Sequence, residues 1–79
     1  MRVIGEIAHP LCKITIFQWN SKCLIKLEQG LLEQTYKIDE TEVTGDDDIQ
    51  KIMNEDFIET ALARFRDMHL DLVRAMEKL

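Results

Sequence analysis

Four side chains of this sequence are of types that bind zinc. His9 and Cys12 are separated by two residues, a common spacing in metal sites, and Cys23 and His69 would complete a set of four ligands. The hairpin predicted below, however, places Cys12 and Cys23 about six residues apart along neighbouring strands, roughly 20 Å. Zinc ligands lie ~2.0–2.3 Å from one ion, and disulfide partners need Cα atoms within ~7 Å. We therefore expect two structural cysteines, no metal and no other cofactor.

Other polar residues could also do chemistry, but each has a simpler structural role. His69 lies near the centre of an apolar helical arc and has no nucleophile placed beside it, so we expect a core or interface histidine. The acidic run 39–48 lacks the spacing and the glycine of an EF-hand, and is typical of a solvated connector that also caps a helix. The sequence contains no phosphate loop, dinucleotide fingerprint or nucleophile elbow. We expect no enzymatic activity.

Length and charge restrict the class of protein. A chain of 79 residues makes one domain, and it buries only ~60% of its unfolded surface, which leaves a thin stability margin. Residues 1–38 have a net charge of +2 (five basic, three acidic), and residues 39–79 a net charge of −7 (five basic, twelve acidic), which together give −5. This acidic balance argues against nucleic acid as a partner, because polyanions are bound by Lys and Arg. The sequence has no run of ~20 apolar residues and no signal peptide, so we expect a cytoplasmic protein and no membrane contact.

Apolar alternation predicts strands in residues 1–38. A first strand runs from Arg2 to Ala8 and ends at His9-Pro10, because Pro lacks a backbone N–H. A second strand, Cys12 to Trp19, is rich in β-branched and aromatic residues.

Asn20-Ser21 is predicted as a tight hairpin turn, since Asn tolerates positive φ. The turn pairs Trp19 with Lys22, and Lys13 with Glu28 as an opposite-charge pair. In this register one face of the hairpin collects apolar side chains: Ile14, Ile16, Cys23, Ile25 and Leu27.

Gln29-Gly30 is predicted as the next turn, because Gly supplies positive φ. This turn would place Leu27 opposite Leu32 and Lys26 opposite Glu33. Residues 1–38 are thus predicted as an antiparallel meander of three or four strands.

Helical spacing follows in residues 46–79. Asp46, Asp47 and Asp48 suit a helix N-terminus, and Asn54 could restart the helix, so the pattern fits one long helix or a short helix followed by a long one. One arc of the helical wheel collects the apolar residues Ile58, Ala61, Leu62, Phe65, Met68, Leu72, Val73, Ala75, Met76 and Leu79.

The sequence therefore predicts a single α+β domain over residues 1–79. Its parts are an antiparallel three- to four-stranded β-meander (1–38), an acidic connector (39–48) and a long C-terminal amphipathic helix packed on one sheet face. Residues 55–79 span ~37 Å as a helix against ~30 Å for a nine-residue strand, so the helix should project past the sheet.

The second sheet face combines aromatic side chains with lysines, and is left uncovered unless strand 1 or a second copy of the chain lies on it. We expect a small interaction protein that self-associates as a homodimer or higher oligomer, or that binds another protein. The alternative is binding of a nucleic acid or an anionic ligand through the lysines. The predicted contact residues are Phe17, Trp19, Leu24, Lys22, Lys26, Leu72, Met76 and Leu79. The Trp19-Asn20 turn and the Glu28-Gln29-Gly30 segment resemble those of short bacterial proteins, a resemblance that implies no activity.

Overall fold

The computed structural model describes residues 1–79, apart from the side chain of Asp46. The described residues form a four-stranded antiparallel sheet in chain order, followed by two helices, which confirms the predicted α+β class. The strands are β1 (Arg2–Ile7), β2 (Lys13–Trp19), β3 (Lys22–Gln29) and β4 (Leu32–Asp39). A 3₁₀ turn (Glu40–Glu42) leads to helices α1 (Asp46–Ile52) and α2 (Glu55–Met76).

The hairpin between β2 and β3 has the predicted turn and register. Asn20 and Ser21 both have positive φ, 51° and 60°, as a type I′ turn requires. The pairs run from Trp19 with Lys22 at the turn to Lys13 with Glu28 at the far end. This turn twists in the same sense as the flanking strands, so it fixes which side chains share a face.

The predicted register between β3 and β4 is wrong by two residues. The turn is Gly30-Leu31, not Gln29-Gly30, so Leu27 pairs with Gln34 instead of Leu32. Gly30 has a φ of 60°, and it occupies the first of the two turn positions, where a type II′ turn places glycine. Lys26 still reaches Glu33, at 3.3 Å, although its direct partner across the strands is Thr35. Because side chains alternate with a period of two, a shift of two residues leaves every side chain on its predicted face.

Strand β1 is an edge strand beside β2, so it does not cover the second sheet face. Its register with β2 shifts between Val3 and Gly5, which marks a β-bulge at Ile4. A bulge at an edge strand strengthens the local twist and discourages pairing with further strands. The second sheet face of the described chain therefore carries no covering strand.

The core lies between the other sheet face and the two helices, as predicted for the helical packing. From the sheet it contains Ile14, Ile16, Ile25 and Leu27, with Cys12 and Cys23. From the helices it contains Ile49 and Met53 of α1 and Ile58, Ala61 and Phe65 of α2.

The helical segment is divided into a short and a long helix, each with its own start. The Asp48 carboxylate accepts bonds of 2.8 Å from the backbone N–H and from the hydroxyl of Thr44, just before α1. These bonds, the backbone one first, hold the pKa of Asp48 below its ordinary value. Asn54 caps α2 by accepting the backbone N–H of Phe57 at 2.9 Å. The predicted capping by Asp46 lies outside the described side chains.

A polar cluster around the buried Gln34 joins α2 to β4. The side-chain amide of Gln34 donates from Nε2 to the backbone carbonyl of Ala61 at 2.8 Å. Its Oε1 accepts from the Tyr36 hydroxyl at 2.8 Å and from Arg64 Nη1 at 3.0 Å, and Arg64 also donates to the Tyr36 oxygen at 2.8 Å. The rings of Tyr36 and Phe57 meet edge to face, with centroids 5.3 Å apart. Sheet and helix are therefore joined by directional bonds as well as by apolar packing.

We expect Gln34→Leu to lower the free energy of unfolding by about 1–3 kcal/mol, because the buried Ala61 carbonyl, the Tyr36 hydroxyl and Arg64 lose their bonds to Gln34 while the volume is kept. Gln50→Leu on the exposed face of α1 is the matched control and should change stability by less than about 0.5 kcal/mol. Urea denaturation measures both variants. Equal losses in the two would show that the cluster does not hold α2.

Candidate functional site

Helix α2 is longer than the sheet that it covers. Phe65 is fully buried and Met68 still packs against the core, but every residue from His69 to Leu79 is exposed. These last 11 residues, which we call the overhang, comprise the end of α2 (residues 69–76), which extends roughly 12 Å past the core, and three residues beyond the helix, so α2 ends three residues before the predicted Leu79. The overhang carries large exposed apolar side chains, Leu70, Leu72, Val73, Met76 and Leu79.

The overhang continues the apolar stripe that packs on the sheet. Ile58, Ala61, Phe65 and Met68 are spaced by three and four residues on the sheet side of α2. Leu72 follows Met68 by four residues, so the same side of the helix stays apolar after the sheet has ended. The exposed apolar surface of the overhang is therefore the continuation of the stripe that packs in the core.

The overhang and the end of the sheet form an open apolar groove of about 380 Å³. One wall is the β3–β4 turn, where the side chain of Leu31 is fully exposed. The groove is lined by Gln29, Gly30, Leu31, Leu32, His69, Leu72, Val73 and Met76. The predicted contact residues Leu72 and Met76 lie in this groove, and Leu79 lies three residues beyond the end of α2 at Met76.

His69 is not the core histidine that the sequence indicates, because its side chain is exposed on the groove. The centre of the apolar arc is buried only up to Phe65, and His69 lies one turn beyond it, where the sheet no longer covers the helix. The alternative of an interface histidine therefore depends on what fills the groove.

The second sheet face carries the other predicted contact residues. Trp19 is 45% exposed and Phe17 is half-buried. Leu24, however, is only 4% exposed, although it points to the same side as its partner Phe17. Its other neighbour across the strands is Lys37. We infer that the flanking side chains cover Leu24, since a long lysine stem can shield apolar surface. The exposed apolar cluster on this face is thus smaller than the sequence predicts.

Two of the four lysines on this face form ion pairs with carboxylates. Lys22 pairs with Asp39 at 2.5 Å. Lys26 lies 3.3 Å from Glu33 and 3.9 Å from Glu28. By strand register the face carries four lysines and four carboxylates: Lys13, Lys22, Lys26 and Lys37, with Glu6, Glu28, Glu33 and Asp39. Its formal net charge is therefore zero.

The eight predicted contact residues do not form one surface. Trp19 and Lys22 flank the β2–β3 turn, whereas the groove lies at the other end of β3, beyond Gln29. The overhang also lies on the helical side of the sheet, and Trp19 points to the opposite side. A single two-fold contact around the overhang cannot include Trp19.

The candidate metal ligands are distributed over the molecule. Cys12 and Cys23 are buried free thiols, and Cys23 pairs with Gln18, six positions after Cys12 along β2. His9 belongs to the β1–β2 loop, where its Nδ1 accepts the backbone N–H of Leu11 at 3.1 Å. Among the described residues no three His, Cys, Asp or Glu side chains are grouped so that they could hold a metal ion.

Comparison of the chain with protein-family models, with curated proteins and with solved structures finds no match. Within the described part of the chain, no helix has the length and apolar character needed to cross a membrane.

Burial raises the pKa of both thiols, and the nearby Glu40 carboxylate raises that of Cys23 further. We expect Cys12 and Cys23 to react slowly with a thiol reagent at pH 7.5, and rapidly in denaturant. Ser21→Cys at the exposed β2–β3 turn is the control and should add one fast thiol. A native thiol as fast as this control would reveal an activated cysteine.

These raised pKa values also link stability to pH. Below the ordinary thiol pKa of 9.0 both thiols are protonated in the folded and in the unfolded chain, so their full contribution to the free energy of unfolding is present. As the pH rises above 9.0 and through the folded-state values, the unfolded chain releases its protons first and the free energy of unfolding falls.

Proposed function

We propose that this protein acts by binding protein surfaces, and that its first partner is a second copy of itself, bound through the overhang. The observation that carries the proposal is the exposure of residues 69–79 along the continuation of a core stripe. The proposal contains no catalytic step. It includes a cytoplasmic location, a compartment in which the two buried thiols would stay reduced.

The overhang needs a partner for reasons of stability. The helical part of the overhang, residues 69–76, is marginal in water when it packs on nothing, since most helical stability in proteins comes from tertiary contacts. Exposed apolar side chains that form one contiguous surface, as in the groove, mark interaction sites more often than scattered ones do. A second chain packed along the overhang would supply the missing contacts.

The second sheet face, which we also call the lysine face, gives less support to the alternative function, the binding of a nucleic acid or an anionic ligand. Affinity for nucleic acid comes mainly from Lys and Arg that neutralise phosphates. On this face Lys22 and Lys26 already pair with carboxylates of the same chain, and the formal charges cancel. The exposed Trp19 next to a charged rim is more typical of a contact with another protein.

We expect the wild-type protein to sediment as a dimer at micromolar concentrations, and Leu72→Glu to shift it towards the monomer, because a charge then enters the apolar contact. Leu70→Glu is the matched control. Leu70 and Leu72 have similar exposure, 49% and 44%, but Leu70 lies on the opposite side of the helix and outside the groove. Sedimentation equilibrium over a hundredfold range of concentration measures all three proteins.

The control variant should keep the wild-type mass, and both variants should keep the far-ultraviolet circular dichroism of a folded chain. A wild-type protein that stays monomeric over the whole range would contradict self-association. Equal dissociation by Leu70→Glu and Leu72→Glu would show that the groove side of the overhang is not the contact.

A further inference from the structure

The orientation of the two chains follows from charge and side-chain size along the overhang. Resting on the proposed self-association, we infer that two copies pair their overhangs in antiparallel orientation about a two-fold axis. In this arrangement Asp71 of each copy lies against Lys78 of the other.

The apolar stripe of the overhang has the spacing of a helix-pairing seam. Met68, Leu72, Ala75 and Leu79 follow one another at intervals of four, three and four residues. Lys78 and Leu79 lie just beyond the end of α2, where bonds from the Lys78 N–H to the Ala75 carbonyl (3.3 Å) and from the Leu79 N–H to the Met76 carbonyl (3.1 Å) continue the last turn. Antiparallel pairing centred between residues 73 and 74 sets Leu72 of one copy against Ala75 of the other, a large side chain facing a small one. The same register sets Met68 against Leu79, so the seam closes at both ends.

The β3–β4 turn blocks one side of this seam and leaves the other side open. Leu31 and Leu32 wall the side of the overhang that carries His69 and Met76. The opposite border of the seam has no such wall in the groove, and it carries Asp71 and Lys78, one turn apart from Ala75 on either side. A second helix would therefore approach from the side of these two charges.

The charges select antiparallel pairing over parallel pairing. In the antiparallel register Asp71 lies opposite Lys78 of the second copy, and the two-fold axis repeats the contact. Parallel helices would bring Asp71 next to Met76 of the second copy and would leave both charges without a partner. The present neighbour of Asp71 is Arg74 at 3.9 Å, an exposed pair on one helix that contributes little and leaves the carboxylate accessible.

The sheet end fits the same arrangement. Antiparallel pairing directs Leu79 of the second copy towards Met68, where the overhang leaves the sheet. Leu79 is completely exposed in the described chain, and this contact would bury it against the last residue of α2 that packs on the core. A two-fold axis makes the burial equal in both copies.

Charge reversal at low ionic strength tests the orientation. Asp71→Lys and Lys78→Asp should each weaken the dimer about tenfold, since each variant turns two attractions per dimer into repulsions. The double variant Asp71→Lys/Lys78→Asp should recover most of the wild-type affinity. An equimolar mixture of the two single variants should also form heterodimers, in which both contacts again join opposite charges. Glu59→Lys, the same charge change on the outer side of α2 and away from the overhang, is the control and should leave the affinity within about twofold of wild type.

Sedimentation at 50 mM salt measures each dissociation constant, and circular dichroism checks the helix content. A wild-type monomer would overturn the proposed function and the orientation together. A wild-type dimer that the single variants do not weaken, or whose double variant is as weak as the single ones, would overturn the antiparallel contact and leave self-association standing. Weakening by Glu59→Lys as large as that by Asp71→Lys would show a general charge effect and would also overturn the contact.

Discussion

The hydrogen bond from the Gln34 side chain to the Ala61 carbonyl sets the position of α2 on the sheet. It fixes the helix along its own axis, and the fully buried Ala61 lets the helix backbone come close to β4. Apolar packing alone would allow a stripe with a repeat of three and four residues to slide by a turn. With the position fixed, Ile58 to Met68 cover the core and the rest of the stripe has no sheet beneath it. The exposed surface is therefore a consequence of how α2 is held.

Much of the fold was predictable because local signals agreed with the pattern of apolar residues. Asn20-Ser21 defined the β2–β3 register, and Asn54 marked a second helix start. The β3–β4 register was not predictable, since Gly30 can take either turn position. A shift of two residues also keeps every side chain on the same face, so the apolar pattern fits both registers. The role of Gln34 was not predictable from the sequence either. Its partner is a backbone carbonyl of α2, and the sequence does not show which turn of α2 lies against β4.

The sequence identified exposed apolar and charged residues as candidate contacts, but it did not show that they lie on two separate surfaces. Sequence patterns gave the direction of each side chain, yet the separation of Trp19 from the overhang depends on which end of the sheet the helix leaves. Leu24 is buried although exposure was predicted, because side chains from neighbouring strands surround it. His69 is exposed although a core position was among those predicted, because the sheet ends before it. The two surfaces also differ physically: lysines and carboxylates are equal in number on the second sheet face, whereas the overhang exposes apolar side chains with the spacing of those that pack in the core.

The central claim is that the overhang, and not the lysine face, is the self-association surface. Amide chemical shifts of the ¹⁵N-labelled wild-type protein, recorded during dilution from millimolar to low micromolar concentration, test it residue by residue. The account predicts that concentration-dependent shifts collect in residues 68–79 and 29–32, while residues 15–26 stay constant. Shifts concentrated around Phe17 and Trp19, or no shifts over the whole range, would contradict it.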